Sequence, residues 1–159
     1  ETPKGSPNKY EIDKDTGMIA LDRANYNAMA FPFDYGFVPQ TLWDDNDALD
    51  VVVLATFPLT TGIMVKVRPI AIMEMIDTGE SDWKVIGVPA DDRRWEHIKD
   101  LGDVNPHTLK EVKHFFETYK DLKNDSGEKL VTVPGFHPKE KVLESIQHSI
   151  DLYQEKFGK

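Results

Sequence analysis

Ile70–Pro89 reads IAIMEMIDTGESDWKVIGVP, and this run decides the fold class. Two apolar stretches flank a polar centre at Thr78-Gly79-Glu80-Ser81. Two such runs joined by a short loop containing Gly form a β-hairpin signal. Asp77 and Asp82 stand at the two mouths of that loop. Positions facing each other across an antiparallel pair have Cβ atoms about 5 Å apart, so two carboxylates there repel unless a cation lies between them. An acidic hairpin loop is also a common surface feature, so the pair carries little by itself.

Outward from the hairpin, more β-rich runs appear: KYEID from Lys9, MIALDR from Met18, DVVVLA from Asp50, IMVKVRPIAIMEMI from Ile63 and KLVTVPGF from Lys129. Asp15-Thr16-Gly17 and Thr61-Gly62 supply turn chemistry between them. Two helices follow late. Asn105 and Pro106 read as N-cap and first helical residue, and Leu109, Val112, Phe115, Phe116 and Tyr119 recur at helical spacing. Val142, Leu143, Ile146, Ile150 and Tyr153 repeat the pattern near the C-terminus. Short strands with few helices predict an α+β fold, a small barrel or curled antiparallel sheet with helices packed outside.

At 159 residues the chain reads as one domain, 1–159, long enough for a single core. No stretch approaches the roughly 18 apolar residues of a membrane span, and the opening ETPKGSPNKY has no apolar core of a secretory signal. No Cys is present, which excludes a disulfide framework and thiolate chemistry and fits a cytoplasmic protein. A net charge of −9 argues against nucleic acid or an anionic membrane as partner, since both need a basic footprint.

The acids are concentrated. DDNDALDVVVLATFP, Asp44–Pro58, crowds Asp44, Asp45, Asp47 and Asp50 against a run that reads as a buried strand. If the stretch is extended, Asp45 and Asp47 project to one face. Carboxylates this close raise one another's cost of ionisation, and a hard divalent cation such as Mg²⁺ removes the conflict. A solvated acidic turn whose aspartates cap backbone amides is the other reading of this motif. An EF-hand is not: counted from Asp45, its required Gly and Glu positions hold Asp50 and Thr56. With Asp77 and Asp82 there are two separate acid groups, which suits a multi-metal site for phosphoryl chemistry.

Cations and phenols complete the set. Lys9 and Glu11 share a strand face, and Lys84 follows Asp82 by two residues. Arg23, Tyr35, Tyr119 and Lys120 add a fork of donors, two hydroxyls and a further positive charge. Such groups hold phosphate, though each alone has an ordinary structural reading.

Taken in order, ETPKGSPNKYEID, LDR, FPFDYGF, DDNDALDV, DTGESDWK and FFETYKDLK resemble the soluble family I inorganic pyrophosphatases, from Glu1 to about Lys123. The resemblance implies a small closed OB-type antiparallel β-barrel with flanking C-terminal helices. It also implies Mg²⁺-dependent hydrolysis of pyrophosphate to two phosphates, by direct attack of a metal-activated water and without a covalent intermediate. The family's Asp-x-Asp-x-x-Asp signature falls on Asp45, Asp47 and Asp50. Its first and third acids are metal ligands, and the middle one takes the proton of the attacking water. Asp77 and Asp82 match further ligands, Glu11 an acid near the metal that arrives with substrate, and Glu1 an acid at the edge of the site. Lys9, Arg23, Lys84, Tyr119 and Lys120 match the phosphate-holding groups, and Tyr35 a tyrosine beside the attacking water. Several Mg²⁺ per site, replaceable by Mn²⁺ or Zn²⁺, and a homohexamer are implied with them.

Two positions depart from the family pattern: Ala48 stands where Pro is usual, and Phe31 where Tyr is common. Neither removes an acid or base. A nucleic-acid-binding OB module conflicts with the acidic charge and the absence of a basic-aromatic stripe. A non-catalytic metal binder leaves the phosphate-holding cations without a purpose.

Overall fold

The hairpin that opened the sequence closes more tightly than a four-residue loop. In the computed structural model, β5 (Val67–Asp77) and β6 (Glu80–Ser81) pair as Ile76↔Ser81 and Asp77↔Glu80, leaving Thr78 and Gly79 as a two-residue turn. Both lie in the left-handed region, at φ 54° and 86°, as a type I′ turn requires. Thr78 is β-branched, so this conformation is strained. The structure describes residues 1–158; Lys159, the last residue of the expected domain, lies outside the described residues.

The expected strands form, with shifted ends. β1 (Asn8–Ile12) and β2 (Ile19–Ala24) make a separate two-stranded ribbon, with Lys9 opposite Arg23. The main sheet runs β3 (Asp34–Phe37), β4 (Asp50–Val53), β7 (Lys84–Pro89), β5 and β6, while β8 (Val131–His137) also pairs with β5. β5 begins at Val67 rather than Ile63, and Met64 is 91% exposed.

The sheet is not wholly antiparallel, as a barrel of the expected kind is. β4 and β7 pair in parallel, because the hairpin returns β7 alongside β4 in the same direction. Among the described residues no strand pairing closes the sheet into a ring. The parallel register sets Asp50 beside Lys84.

The sheet is covered on both faces, and period-two alternation sorts its side chains. Val52, Ile86, Met73 and Met75 join Phe31, Phe33, Phe115 and Phe116 on the side of α1 (Pro106–Thr118). Val51, Val53, Val85 and Ile72 join Trp43 and Val142 on the side of α2 (Lys139–Phe157). Gly87 on β7 lies tight against β5. A Cβ there would sit 2.2 Å from Val67 Cγ1, so no larger residue fits without movement.

Asn105 caps α1 as expected, its side chain accepting from His107 N–H, with Pro106 first in the helix. The α2 stripe holds at Val142 and Ile146, which pack in the core beside Trp43, but Leu143 is 48% exposed and Ser145 and Ser149 are buried on that face. Small serines allow close approach, and the Ser149 carbonyl accepts from Leu42 N–H at 2.9 Å.

Candidate active site

The acid stretch folds as a turn, so Asp45 and Asp47 do not share a strand face. Trp43 N–H donates to the Asp47 carbonyl at 2.7 Å, and Asn46 N–H to the Trp43 carbonyl at 2.9 Å. Asn46 takes φ 66°, which Asn tolerates better than most residues. Local bonds from aspartate to backbone compete with a strand here: Asp45 Oδ1 accepts from Asp47 N–H at 3.0 Å and Asp47 Oδ1 from Ala48 N–H at 2.8 Å. The two acids therefore meet different neighbours. Asp45 lies near Asp82, Lys84 and Asp50, whereas Asp47 pairs with Lys14 at the rim.

The buried centre is Lys84. Its side chain is 2% exposed, and its ammonium donates to Asp50 Oδ2 at 2.8 Å and Asp82 Oδ1 at 2.5 Å. Tyr35 O–H donates to the same Asp50 oxygen at 2.5 Å. The ammonium also lies 5.6 Å from the Tyr35 ring centre and 5.7 Å from that of Phe116. Burial works against its charge, yet Asp50 and Asp82 hold Lys84 well above the ordinary lysine range.

The hairpin brings the other acid pair. Asp77 lies opposite Glu80, not Asp82, whose N–H donates to the Met75 carbonyl at 3.0 Å. Asp77 pairs with Lys120 and accepts from Thr78 O–H at 2.8 Å. Tyr119, at the C-cap of α1, is buried, with the Arg23 guanidinium 5.7 Å from its ring centre. From the ribbon, Lys9 pairs with Glu11, and Arg23 Nη1 donates to Asp22 Oδ2 at 2.6 Å. Glu1 Oε1 accepts from Ile12 N–H at 2.8 Å; burial, with Asp50 and Glu11 adding to it, raises its carboxyl although the Ile12 amide pulls the other way.

These residues thus share one face, with Asp47, Lys9 and Glu11 at its edge. Lys14, Asp22 and Thr78, which pair with Asp47, Arg23 and Asp77, did not stand out in the sequence. Lys14 directly follows KYEID, and only the folded chain brings it to position 47.

Unmet negative charge remains. Burial, then Asp82 and Asp50, push the Asp45 carboxyl up to about 6. Burial also raises Asp82 although Lys84 pulls the other way. Asp77 and Asp47 fall below the ordinary carboxylate range, because Lys120 and Lys14 outweigh burial. Among the described residues no three acid or histidine side chains converge on one point; ammonium groups stand between the acids instead. The donor set is nonetheless all carboxylate oxygen, and among the described residues Asp45 has no cationic partner within ion-pair distance, which fits a hard dication such as Mg²⁺.

Residues 1–154 match the family model described as inorganic pyrophosphatase. The chain is 48% identical to a soluble inorganic pyrophosphatase of Zea mays over 153 residues, 96% of this chain and 70% of that protein. It is 45% identical to an inorganic pyrophosphatase of Haloferax volcanii over 158 residues, 99% of this chain and 88% of that one. Its fold is similar to the crystal structure of the inorganic pyrophosphatase from Thermus thermophilus, with a TM-score of 0.92 and 47% identity, covering 97% of this chain and 88% of that one.

Proposed function

Since this chain belongs to the inorganic pyrophosphatase family and hydrolyses pyrophosphate, we propose that the face around Lys84 is its active site. Mg²⁺ is the cofactor, several ions per site, with Mn²⁺ or Zn²⁺ as substitutes. Asp45, Asp50, Asp77, Asp82, Glu11 and Glu1 hold it. When bound, a divalent cation neutralises phosphate charge and lowers the pKa of a coordinated water from about 15.7 towards about 7.

The chain's own residues position and move the rest. Asp47, held below the ordinary carboxylate range, is ionised at neutral pH and accepts the proton of the attacking water. Tyr35, its hydroxyl kept protonated by burial and by Asp50, orients that water and the electrophilic phosphate. The water oxygen bonds to phosphorus as the bridging P–O bond breaks, with no covalent enzyme intermediate. Lys9, Arg23, Lys84, Tyr119 and Lys120 bind the phosphate oxygens and take up charge developing on the leaving phosphate.

The observation that carries this reading is the buried Asp50–Lys84–Asp82 array beside a carboxyl raised to about 6 at Asp45. Phosphate release from pyrophosphate tests it: two phosphates per pyrophosphate with Mg²⁺, and none after EDTA. Turnover unaffected by EDTA would sink the metal assignment.

The finer features follow the same reading. On this reading the sheet is of the OB type, residues 1–159 form one domain, and the enzyme works in the cytoplasm as a homohexamer. No helix among the described residues is long and apolar enough to cross a membrane. A scattering mass near six chains of 18.1 kDa supports the hexamer, and a mass near one chain removes it.

A further inference from the structure

The two acid groups stand on different elements, and one side chain ties them together. Trp43 opens the acid turn with its backbone bonded to Asp47 and Asn46. Its indole N–H donates to Ser81 Oγ at 3.2 Å, and Ser81 directly precedes Asp82 on the hairpin. Among the described residues, this is the sole side-chain hydrogen bond from the turn 43–47 to the hairpin 76–82. The ring is 6% exposed, its centre 5.8 Å from that of Trp83, with His148 edge-on at 5.5 Å. On the far side α2 braces the turn: the Ser149 carbonyl accepts from Leu42 N–H, and His148 Nε2 lies 3.1 Å from Asp44 Oδ1.

We propose that Trp43 is a positioning residue for metal binding. Its bond to Ser81, with the ring lodged against Trp83, fixes the separation between Asp45 on the turn and Asp82 on the hairpin. The proposal rests on reading those carboxylates as metal ligands.

The physical reason is geometric. Mg²⁺ demands near-ideal octahedral distances of about 2.0–2.1 Å. Ligands on two independently moving loops lose affinity through the entropy of ordering them, and looseness of about 1 Å is enough to impair a site. A partly buried hydrogen bond across the gap removes that freedom before any cation arrives. The turn and hairpin both contain non-glycine residues at positive φ, Asn46 and Thr78, so neither is held in place by backbone preference alone.

The test is Mn²⁺ calorimetry on the wild type, Trp43→Phe, Ser81→Ala and the double variant, with melting in EDTA recorded for each. Trp43→Phe keeps an aromatic ring and loses the N–H; Ser81→Ala removes the acceptor from the other side and guards against misfolding of the first. Each single variant should bind Mn²⁺ about three- to tenfold more weakly, the range one neutral hydrogen bond spans. The double variant should be no worse than the weaker single, because both remove the same bond. A side chain that only filled the core would lower the melting temperature and leave Mn²⁺ affinity alone. Unchanged affinity in both single variants, or losses that multiply in the double, would overturn the proposal while the metal reading stands. A wild type that binds no Mn²⁺ overturns both.

Discussion

Lys84 Nζ lies 2.8 Å from Asp50 Oδ2, and the parallel register of β4 with β7 puts the two residues side by side. The same ammonium reaches Asp82 at 2.5 Å with its side chain only 2% exposed. Lys84→Met therefore strands two largely buried carboxylates. Removing one partner of a buried ion pair costs about 3–5 kcal/mol, so urea denaturation in EDTA should show a loss of that order. Saturating Mg²⁺ should restore part of it. A variant as stable as wild type in EDTA would show that Lys84 serves phosphate alone.

Asp50 and Asp47 should separate by role. In Asp50→Asn, Lys84 keeps its bond to Asp82, so the fold survives while hydrolysis collapses with a metal ligand gone. Asp47→Asn should retain metal and pyrophosphate binding but lose about 10²–10⁴-fold in rate, the usual cost of a general base. Calorimetry beside phosphate release checks both. Weakened metal binding as the sole defect of Asp47→Asn would make it a ligand.

Asp45 gives a pH dependence with a defined sign. Its carboxyl stands at about 6 in the folded chain against an ordinary 3.8. The native state therefore holds this proton more tightly than the unfolded chain, so metal-free stability should fall as pH rises between those values. A cation must displace the same proton, so Mg²⁺ affinity should weaken as pH drops below about 6. Melting in EDTA and Mg²⁺ titrations from pH 4 to 8 measure both, and equal Mg²⁺ affinity at pH 5 and 7 would contradict the assignment.

The strands and α1 were legible because local pattern decides them. Asn105 supplies a side-chain cap and Pro106 fits the first helical position, and Val51-Val52-Val53 suits a strand buried on both faces. The candidate site residues were legible through the family resemblance, since the spacing of the acids and cations alone leaves each with an ordinary structural reading. What escaped the sequence depends on tertiary contact or on local bonding rivals. Asp45 and Asp47 leave the strand because their own backbone offers closer partners. Thr78-Gly79 takes a two-residue turn that hydrophobic periodicity does not specify. Ser145 and Ser149 lie on the buried face of α2 where Leu143 does not, and an apolar count passes over serines. Lys14 reaches Asp47 across 33 residues, which no spacing rule anticipates.

Ala48→Pro tests how the turn tunes its base. From sequence alone, Pro at this position would stiffen the loop and stabilise it by about 0.4–1 kcal/mol. The structure adds an opposing effect, because Ala48 N–H donates to Asp47 Oδ1 at 2.8 Å and Pro has no N–H. Losing that bond costs about 0.5–1.5 kcal/mol, so the two effects nearly cancel and the melting temperature should move little. The carboxylate does not cancel. Against burial, Lys14 and then the Ala48 amide hold Asp47 below its ordinary range, so removing the amide should make it more basic. The acid limb of kcat/KM against pH should accordingly shift upward in Ala48→Pro, with metal affinity preserved. A raised melting temperature with an unmoved acid limb would mean that Lys14 alone sets the basicity of Asp47.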